Sequence, residues 1–458
     1  MPVYSGTLAR VLPEGGSAPA LPCRLEFNDE SLTLIPAVGP PLSLDLGDID
    51  ELSPAEYEVH LTLYTGERLC LGRFGKSFQD LLRELQEAHR ERLVRCLLLE
   101  DLEEIARFEG SVRLESGAGS FSAPAEIRLY QSNLAVLPQS QTGFQWRLAD
   151  IDTVRFDDAD YAVVLQSGDE ALTLTRLAKR TQEFYDRLQA ALAGVAGRSA
   201  LTVRSVFPFL TPEQFQRVAE LMKDGHVTAA AGLAAIHPGT GQALAETVVS
   251  ARLKPYYDFL ASRAATCGPY AGFKLVRKDA GPDSEEEEEV PAEAEASEPA
   301  FDAVHTDGVV MPSGAQDDEG SQADVLHWFI FPLHTRSGAG MPRVAAWETT
   351  SRSGRATYFF RLVPAGDGPP SGDPAKRAAA LDEAVHRLNR SLLLLNFRRE
   401  PIYLSDDTLQ MQARYRRYAI ACRKIPALRQ LRFSYLGRVL HTAPQSWQQQ
   451  VERLLAAV

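Results

Sequence analysis

The side chains best suited to binding chemistry lie together near the C-terminus, in "RYRRYAIACRKIPALRQLRFSYLGR" (414–438). Guanidinium groups bind phosphates and carboxylates through paired hydrogen bonds, and they stack on aromatic rings. Tyr and Phe residues interleave with the basic ones, a pattern that also suits stacked bases. The candidate anion- or partner-binding residues are Arg414, Arg416, Arg417, Arg423, Lys424, Arg429, Arg432 and Arg438.

Three interpretations of this basic stretch stay open. It can pair with acidic groups of the same chain or of a protein partner, it can contact nucleic acid, or it can be a solvated surface. Helical spacing would spread the charges over several faces, which favours neither partner by itself.

Catalytic patterns are missing from the sequence. The nine His residues form no HExxH pair, and no GxSxG elbow is present. The five Cys residues are dispersed without CxxC spacing, which indicates a reducing, cytoplasmic location and no zinc site. We therefore predict no catalytic residue, no cofactor and no metal. An enzyme site of unfamiliar pattern in the C-terminal region remains an alternative.

Charge is distributed unevenly along the chain, whose net charge is −13. Residues 279–324 contain 16 acidic residues and no Lys or Arg, whereas residues 325–458 contain 20 basic and 9 acidic residues. The acidic segment has almost no large apolar side chains, so we predict a disordered linker. Two roles are open for this segment. It can be a solubilising linker, or it can be an acidic segment that covers a basic site of the same chain or binds basic partners such as histones.

The N-terminal half repeats itself. "LGDIDEL" (46–52) and "LADIDTV" (148–154) are 102 residues apart, and the same offset aligns "CRLEFNDESLTLIP" (23–36) with "AEIRLYQSNLAVLP" (125–138). One inserted residue later, "GRFGKSFQDLLREL" (72–85) aligns with "TRLAKRTQEFYDRL" (175–188). We interpret this as two copies of one domain.

Each copy has short alternating strands separated by turn signals and followed by an amphipathic helix. In the first copy Ser77 is the expected N-cap, and Phe78, Leu81, Leu82 and Leu85 are the expected buried face. Phe184, Tyr185, Leu188 and Leu192 have that position in the second copy. This order resembles the pleckstrin-homology-like (PH-like, GRAM-like) fold, a bent antiparallel barrel closed by a C-terminal helix.

The resemblance covers roughly 4–195 and implies tandem PH-like domains at 1–103 and 104–198. Phosphoinositide-binding members carry basic residues near the first strand pair, but "LPEGGSAPALP" and "ESGAGSFSAP" contain none. Phosphoinositide binding is therefore not expected. We expect the Asp-Ile-Asp sequence of each copy to place Ile in the core and both Asp residues at a solvated turn, in preference to a metal site.

The remaining segments suggest an α+β chain overall. Thr211, Pro212 and Gln214 predict a capped helix in a helical segment, 199–278. A basic α+β domain is expected at 325–458, which the 199–278 segment can complete. It should contain a strand at 325–335, a hairpin at 343–363, and a helix that begins at Asp373 and Pro374 and buries Leu381, Val385, Leu388, Leu392 and Leu395.

The predicted function is that of a non-catalytic interaction or scaffold protein that binds protein partners. The first alternative is a nucleic-acid or chromatin-associated protein whose acidic linker is autoinhibitory. No apolar run approaches the roughly 20 residues that a transmembrane helix needs.

Overall fold

The computed structural model describes residues 2–11, 18–99, 102–117, 119–139, 143–264, 268–276, 324–334, 341–350, 355–363 and 373–458. These residues form an α+β structure with three antiparallel sheets and helices packed on them. The predicted linker 279–324 lies outside the described residues, apart from Asp324 at the start of a strand.

The first sheet has seven strands, and one helix follows it. Its strand order is β4-β3-β2-β1-β7-β6-β5. Alternate residues point inward, as period-2 patterning requires: Val59, Leu61 and Leu63 of one strand are buried while the residues between them are not. The elements are β1 (Val3–Val11), β2 (Leu21–Phe27), β3 (Ser31–Pro36), β4 (Leu42–Asp45), β5 (Ile49–Ala55), β6 (Glu58–Leu63), β7 (Arg68–Gly72) and α1 (Phe78–Cys96).

The second sheet repeats this topology, with the order β11-β10-β9-β8-β14-β13-β12. Both chain segments therefore fold alike, as the internal repeat predicts. The elements are β8 (Glu104–Ser116), β9 (Gly119–Tyr130), β10 (Asn133–Pro138), β11 (Phe144–Arg147), β12 (Thr153–Asp157), β13 (Ala162–Ser167), β14 (Glu170–Thr175) and α2 (Thr181–Val206).

Seven antiparallel strands followed by a helix are the arrangement expected of the PH-like fold. Five of the eight predicted helix residues are buried: Phe78, Leu81 and Leu85 line the first core, and Phe184 and Leu188 line the second. Leu82, Tyr185 and Leu192 are only partly buried and pack against these cores. The two cores are separate clusters and do not merge. A smaller apolar cluster, which includes Leu97, Tyr130 and Leu137, lies between the end of α1 and the second sheet.

The third sheet has six strands in the order β15-β16-β17-β18-β19-β20. Apolar clusters lie on both of its faces, so residues such as Trp328 and Phe329 on successive positions belong to different clusters. The strands are β15 (Val227–Ala229), β16 (Tyr270–Val276), β17 (Asp324–Leu333), β18 (Val344–Thr349), β19 (Ala356–Arg361) and β20 (Tyr435–Leu440). This sheet therefore combines strands from before and after the acidic segment.

Nine helices of the described residues surround the third sheet or lead into it: α3 (Pro212–Leu221), α4 (Ala230–Ile236), α5 (Thr240–Thr247), α6 (Lys254–Arg263), α7 (Pro374–Leu394), α8 (Glu400–Tyr403), α9 (Asp406–Met411), α10 (Arg416–Lys424) and α11 (Pro426–Ser434). A further helix, α12 (Pro444–Ala457), follows β20. The described part of the chain contains no helix long and apolar enough to cross a membrane.

Local sequence signals mostly give the observed helix starts. The capping box at Thr211 and Gln214 is present, and Asp373 caps α7 by accepting from the Ala375 N–H at 2.9 Å. Ser77 precedes α1 as predicted, but its hydroxyl makes no capping hydrogen bond. The five apolar residues predicted for α7 and its end are all buried.

Candidate functional site

The predicted basic residues lie on α10, α11, β20 and the short turn before α10. They do not form one solvated strip. Arg416, Arg423 and Lys424 project from α10 onto the Asp-Ile-Asp motif at 48–50, hereafter the first Asp-Ile-Asp motif. The basic stretch therefore makes contacts across some 370 residues of sequence, with the first copy of the repeat.

Asp48 is the centre of this contact. Its carboxylate, with a side chain only 8% exposed, accepts from Arg416 Nη2 at 2.7 Å and from Arg423 Nη2 through its other oxygen. The Arg423 guanidinium also lies 4.0 Å from the centre of the Tyr64 ring. The expectation of a solvated turn is wrong for Asp48, because two guanidinium groups replace its water.

The other two residues of the motif complete the contact. Ile49 is fully buried, as predicted, and its carbonyl accepts from Lys424 Nζ at 3.2 Å. The same ammonium donates to Asp50 Oδ1 at 2.7 Å. Asp50 is 44% exposed, so it alone is partly solvated as expected.

A glycine allows α10 to approach this closely. Gly47 precedes Asp48, and a Cβ at Gly47 would lie 2.9 Å from Ile420 Cδ1 of α10 and 3.1 Å from Cys96 Sγ. The second copy has Ala149 at this position. The difference between "LGDID" and "LADID" thus coincides with the close packing of α10 on the first motif.

The remaining basic residues have contacts nearer in sequence. Arg432 donates to Asp406 Oδ1 at 2.7 Å and to the Leu404 carbonyl at 2.8 Å, and Arg429 donates to the Arg423 carbonyl at 2.8 Å. Three guanidinium groups lie over aromatic rings: Arg414 over Tyr415, Arg417 over Tyr418 and Arg438 over Tyr403. Arg414, Arg429 and Arg438 are the exposed members of the predicted set.

The second Asp-Ile-Asp motif (150–152) also contacts the part of the chain that forms the third sheet. Asp150 pairs with Arg147 and lies 2.8 Å from His226 Nε2, just before β15. Burial would raise the pKa of Asp150, but Arg147 and His226 outweigh it and hold that pKa far below its usual range. Asp152 accepts from the Gly168 N–H at 2.8 Å, which is the turn role expected for it.

Gly225 makes room for this second contact. Its φ of +75° suits glycine, and a Cβ there would overlap the Arg147 guanidinium. The Asn389 side chain holds this loop in place. Its Nδ2 donates to the Gly225 carbonyl at 2.9 Å, and its Oδ1 accepts from Trp328 Nε1 at 3.0 Å.

A cavity of about 830 Å³ opens beside the second motif. Its walls come from the second sheet, from the segment after α1, and from α7 and β16. Cationic and acidic groups both line it, namely Arg147, Lys274, Arg390, Asp150, Asp169 and Glu170. Lys274 is only 8% exposed and donates to Asn396 Oδ1 at 2.5 Å.

An ionic network joins the two repeat copies. Arg128 of β9 is 2% exposed and binds Glu91 of α1 through two hydrogen bonds of 2.8 and 3.1 Å. It also donates to Glu126 at 2.5 Å, and Arg90 of α1 donates to Glu126 at 3.2 Å. Burial alone would raise the pKa of Glu91, but hydrogen bonds and the charges of Arg128 and Arg107 lower it.

One buried polar cluster has the residue types of a nucleophile–base relay. His441 Nε2 lies 2.9 Å from Glu348 Oε1 and 3.2 Å from Thr357 Oγ1, and the Thr357 hydroxyl also donates to Glu348. In such a relay the carboxylate binds the imidazole nitrogen opposite the nucleophile. Here both partners face the same nitrogen, so this cluster does not have the relay arrangement.

Glu58, His60 and Cys70 form the one group of potential metal ligands found among the described residues. The Cys70 thiol donates to Glu58 Oε2 at 2.9 Å, and His60 Nε2 lies 3.6 Å from that oxygen. Burial and the neighbouring Glu58 carboxylate raise the pKa of Cys70 to about 12. Cysteine spacing does not indicate this group, because its members come from two paired strands.

Comparison with known proteins adds little beyond this geometry. No protein-family model matches the chain, and no curated protein matches it. It is similar to a solved structure of the linker-DH/PH domains of p115-RhoGEF, at 11% identity and a TM-score of 0.16, over 25% of this chain and 45% of that one. It is also similar to the Spt16D Pob3N heterodimer, at 16% identity and a TM-score of 0.16, over 37% of this chain and 84% of that one. Scores this low carry no argument about function, and this chain contains a PH-like fold on the topology of its own strands.

Proposed function

We propose that this chain is a non-catalytic scaffold protein for protein–protein interaction, built from tandem PH-like domains and a C-terminal α+β domain. The observation that carries the proposal is that both Asp-Ile-Asp motifs contact the part of the chain that forms the third sheet and its helices, the first through α10 and the second through His226. A scaffold needs fixed spacing between its binding surfaces. The ion pairs at Asp48 and the close approach of His226 to Asp150 supply that spacing.

Fixed geometry is supported by the types of contact involved. Arg416 and Arg423 reach Asp48 from one helix, so the pair resists rotation as well as separation. Arg128 and Glu91 make a bidentate pair, which fixes orientation between the two repeat copies. These contacts favour one rigid body over three units on flexible connections.

The partner we propose is an acidic protein segment that binds the exposed cations Arg414 and Arg429. Three other residues of the basic stretch are already neutralised by Asp48 and Asp50. These three pairings reduce the number of cations that the basic stretch can offer to the dense phosphate contacts of duplex DNA, so nucleic acid is the less favoured partner.

The acidic segment 279–324 is a candidate competitor for the same cations. Its 16 carboxylates are in the same chain, at a high effective concentration. We propose that it occupies the exposed arginines until a partner with a better-matched acidic surface displaces it. The segment would then be autoinhibitory.

The test uses the full chain with the Asp and Glu residues of 283–298 changed to Asn and Gln, so that this segment no longer competes. It measures binding to a peptide with the unchanged sequence of residues 283–298, and to a short DNA duplex. Arg414→Glu with Arg429→Glu should weaken peptide binding at least about tenfold, the equivalent of about 1.4 kcal/mol. The matched control is Arg113→Glu with Arg155→Glu, which reverses two exposed charges on the second sheet and should leave peptide affinity unchanged.

Two results would contradict the proposal. Equal weakening by both double variants would mean that only net charge matters. Tight DNA binding that falls steeply between two salt concentrations, and that the Arg414 and Arg429 changes abolish, would favour the nucleic-acid alternative.

A further inference from the structure

The outer face of the first sheet carries three side chains whose donor atoms converge. Glu58 and His60 are two residues apart on β6, so both project from the same face of the strand. Cys70 on β7 lies directly opposite His60 in the antiparallel register. Cross-strand neighbours of this kind have Cβ atoms about 5 Å apart, close enough for both side chains to reach one ion.

The strands that carry these ligands are firmly held. Val59 and Leu61, the inward residues of β6, are at most 1% exposed, and Leu69 and Leu71 of β7 are equally buried. Ligands on rigid strands keep their relative positions without a loop having to order. The site is therefore preorganised.

Room for the Glu58 carboxylate depends on a missing side chain. A Cβ at Gly72, the last residue of β7, would lie 3.2 Å from Glu58 Oε1. Thr175 is the equivalent residue of the second copy. Gly72 pairs with Thr7 of β1 in the first sheet, and Thr175 pairs with Ser111 of β8 in the second. The glycine lets Glu58 lie across the end of the neighbouring strand.

We propose that Glu58, His60 and Cys70 form a zinc-binding site on the first PH-like domain. Thiolate, imidazole and carboxylate together suit Zn²⁺, at bond lengths of about 2.3, 2.0 and 2.1 Å. Tetrahedral bonds of these lengths separate ligand atoms by about 3.5 Å. The three donor atoms lie within 4.8 Å of one another, so small side-chain movements complete the geometry.

Binding exchanges a proton for the metal. The Sγ–H···O contact with Glu58 breaks, the thiol proton passes to solvent, and Sγ and the carboxylate oxygen each bond to Zn²⁺. His60 binds through Nε2, which is within 3.6 Å of the Glu58 oxygen. Glu58 and His60 are 47% and 42% exposed, so the ion has direct access from solvent, and the fourth position stays open to water or to a partner's side chain.

The second copy provides the comparison that sharpens the inference. Its register pairs Val164 with Thr173 where the first copy pairs His60 with Cys70. Ala162 is at the position of Glu58. At these three positions the second copy therefore has no carboxylate, imidazole or thiol. Because the same fold accommodates Val164 and Thr173, Val and Thr are suitable replacements for His60 and Cys70.

The experiment uses the full chain, stripped of metal with a chelator and titrated with Co²⁺ and then Zn²⁺. The wild type should bind one Co²⁺ per chain at this site, with thiolate-to-cobalt charge-transfer absorption that Zn²⁺ removes. Cys70→Thr should abolish the band and lower zinc affinity at least about 100-fold. Cys23→Ser, which removes a buried thiol of the same sheet, should change neither.

A second variant keeps the test decisive if Cys70→Thr destabilises the chain. His60→Val retains the thiol and should lower zinc affinity at least about tenfold, with its fold checked by circular dichroism. Zinc should raise the melting temperature of the wild type and of neither variant in the site. No thiolate–cobalt band in the wild type, or a band that persists in Cys70→Thr, overturns the proposal.

Discussion

Replacing Asp48 with Asn should loosen α10 from the first domain. The carboxylate accepts charge-assisted hydrogen bonds from Arg416 and Arg423, whose side chains are 23% and 28% exposed. A hydrogen bond to a charged group contributes about 1.5–3 kcal/mol, and breaking a buried ion pair costs about 3–5 kcal/mol. Partial solvation of both guanidinium groups reduces this, so we expect a cost of about 3 kcal/mol, or about 100-fold in the docking equilibrium.

Amide hydrogen exchange over α10 in the native full chain measures that equilibrium locally. Asp50→Asn is the matched control, because its 44% exposed carboxylate should contribute less than about 1 kcal/mol. A double-mutant cycle of Asp48→Asn with Arg423→Gln should give a coupling energy above about 1 kcal/mol. If Asp48→Asn speeds exchange in α10 no more than Asp50→Asn does, the ionic contact does not hold the helix in place and the rigid-scaffold argument fails.

Three further substitutions test other contacts that stabilise this structure. Gly47→Ala should lower the melting temperature through a cost of about 1–2 kcal/mol, since its Cβ would lie 2.9 Å from Ile420 Cδ1; an unchanged melting temperature would contradict this close packing. Burial lowers the pKa of His89 to about 4, below its unfolded value of about 6.5, so the unfolded state binds more protons between those values. The free energy of unfolding of the wild type should fall by up to about 3 kcal/mol as pH falls from 6.5 to 4. His89→Gln should remove this part of the pH dependence, measured by urea denaturation at several pH values; the same pH dependence in both proteins would refute the prediction. Arg128→Met removes a guanidinium that is 2% exposed from its partners Glu91 and Glu126 and should cost about 3 kcal/mol by urea denaturation, whereas a neutral effect would mean that the Arg128–Glu91 pair sets orientation only.

Much of the fold could be predicted from local pattern and repetition. Inward residues such as Leu61 and Leu69 alternate with outward ones, and that alternation gives the strands directly. Thr211 and Asp373 give helix starts because capping is a local interaction between neighbouring residues. The internal repeat supports this prediction further, since both copies show the same order of strands and the same terminal helix.

The candidate sites were harder to predict because their partners are distant in sequence. Nothing near Asp48 or near Arg423 in the chain indicates that one contacts the other. Opposite charge is a weak guide among 48 basic and 61 acidic residues. The residues of the proposed zinc site are hard to predict for a related reason: register across two strands, and not spacing along one, brings His60 and Cys70 together.

The two copies of the repeated motif show how one turn can serve two contacts. The first copy has Asp45 before its motif, paired with Arg92 of its own helix at 2.6 Å. The second copy has Arg147 there, and Arg147 pairs with Asp150. With the charge reversed at that one position, the Asp150 carboxylate is paired locally with Arg147, and His226 approaches it from the loop before β15.

In the first copy Asp45 satisfies Arg92, so the Asp48 carboxylate keeps both oxygens for α10. The two motifs are nearly identical in sequence but should affect different regions. Asp48→Asn should speed amide hydrogen exchange in α10, whereas Asp150→Asn should speed it in the loop at His226 and leave exchange in α10 unchanged. Hydrogen exchange distinguishes the two regions in one experiment. Equivalent effects of both substitutions on α10 would mean that the motifs act through general destabilisation and not through the separate contacts described above.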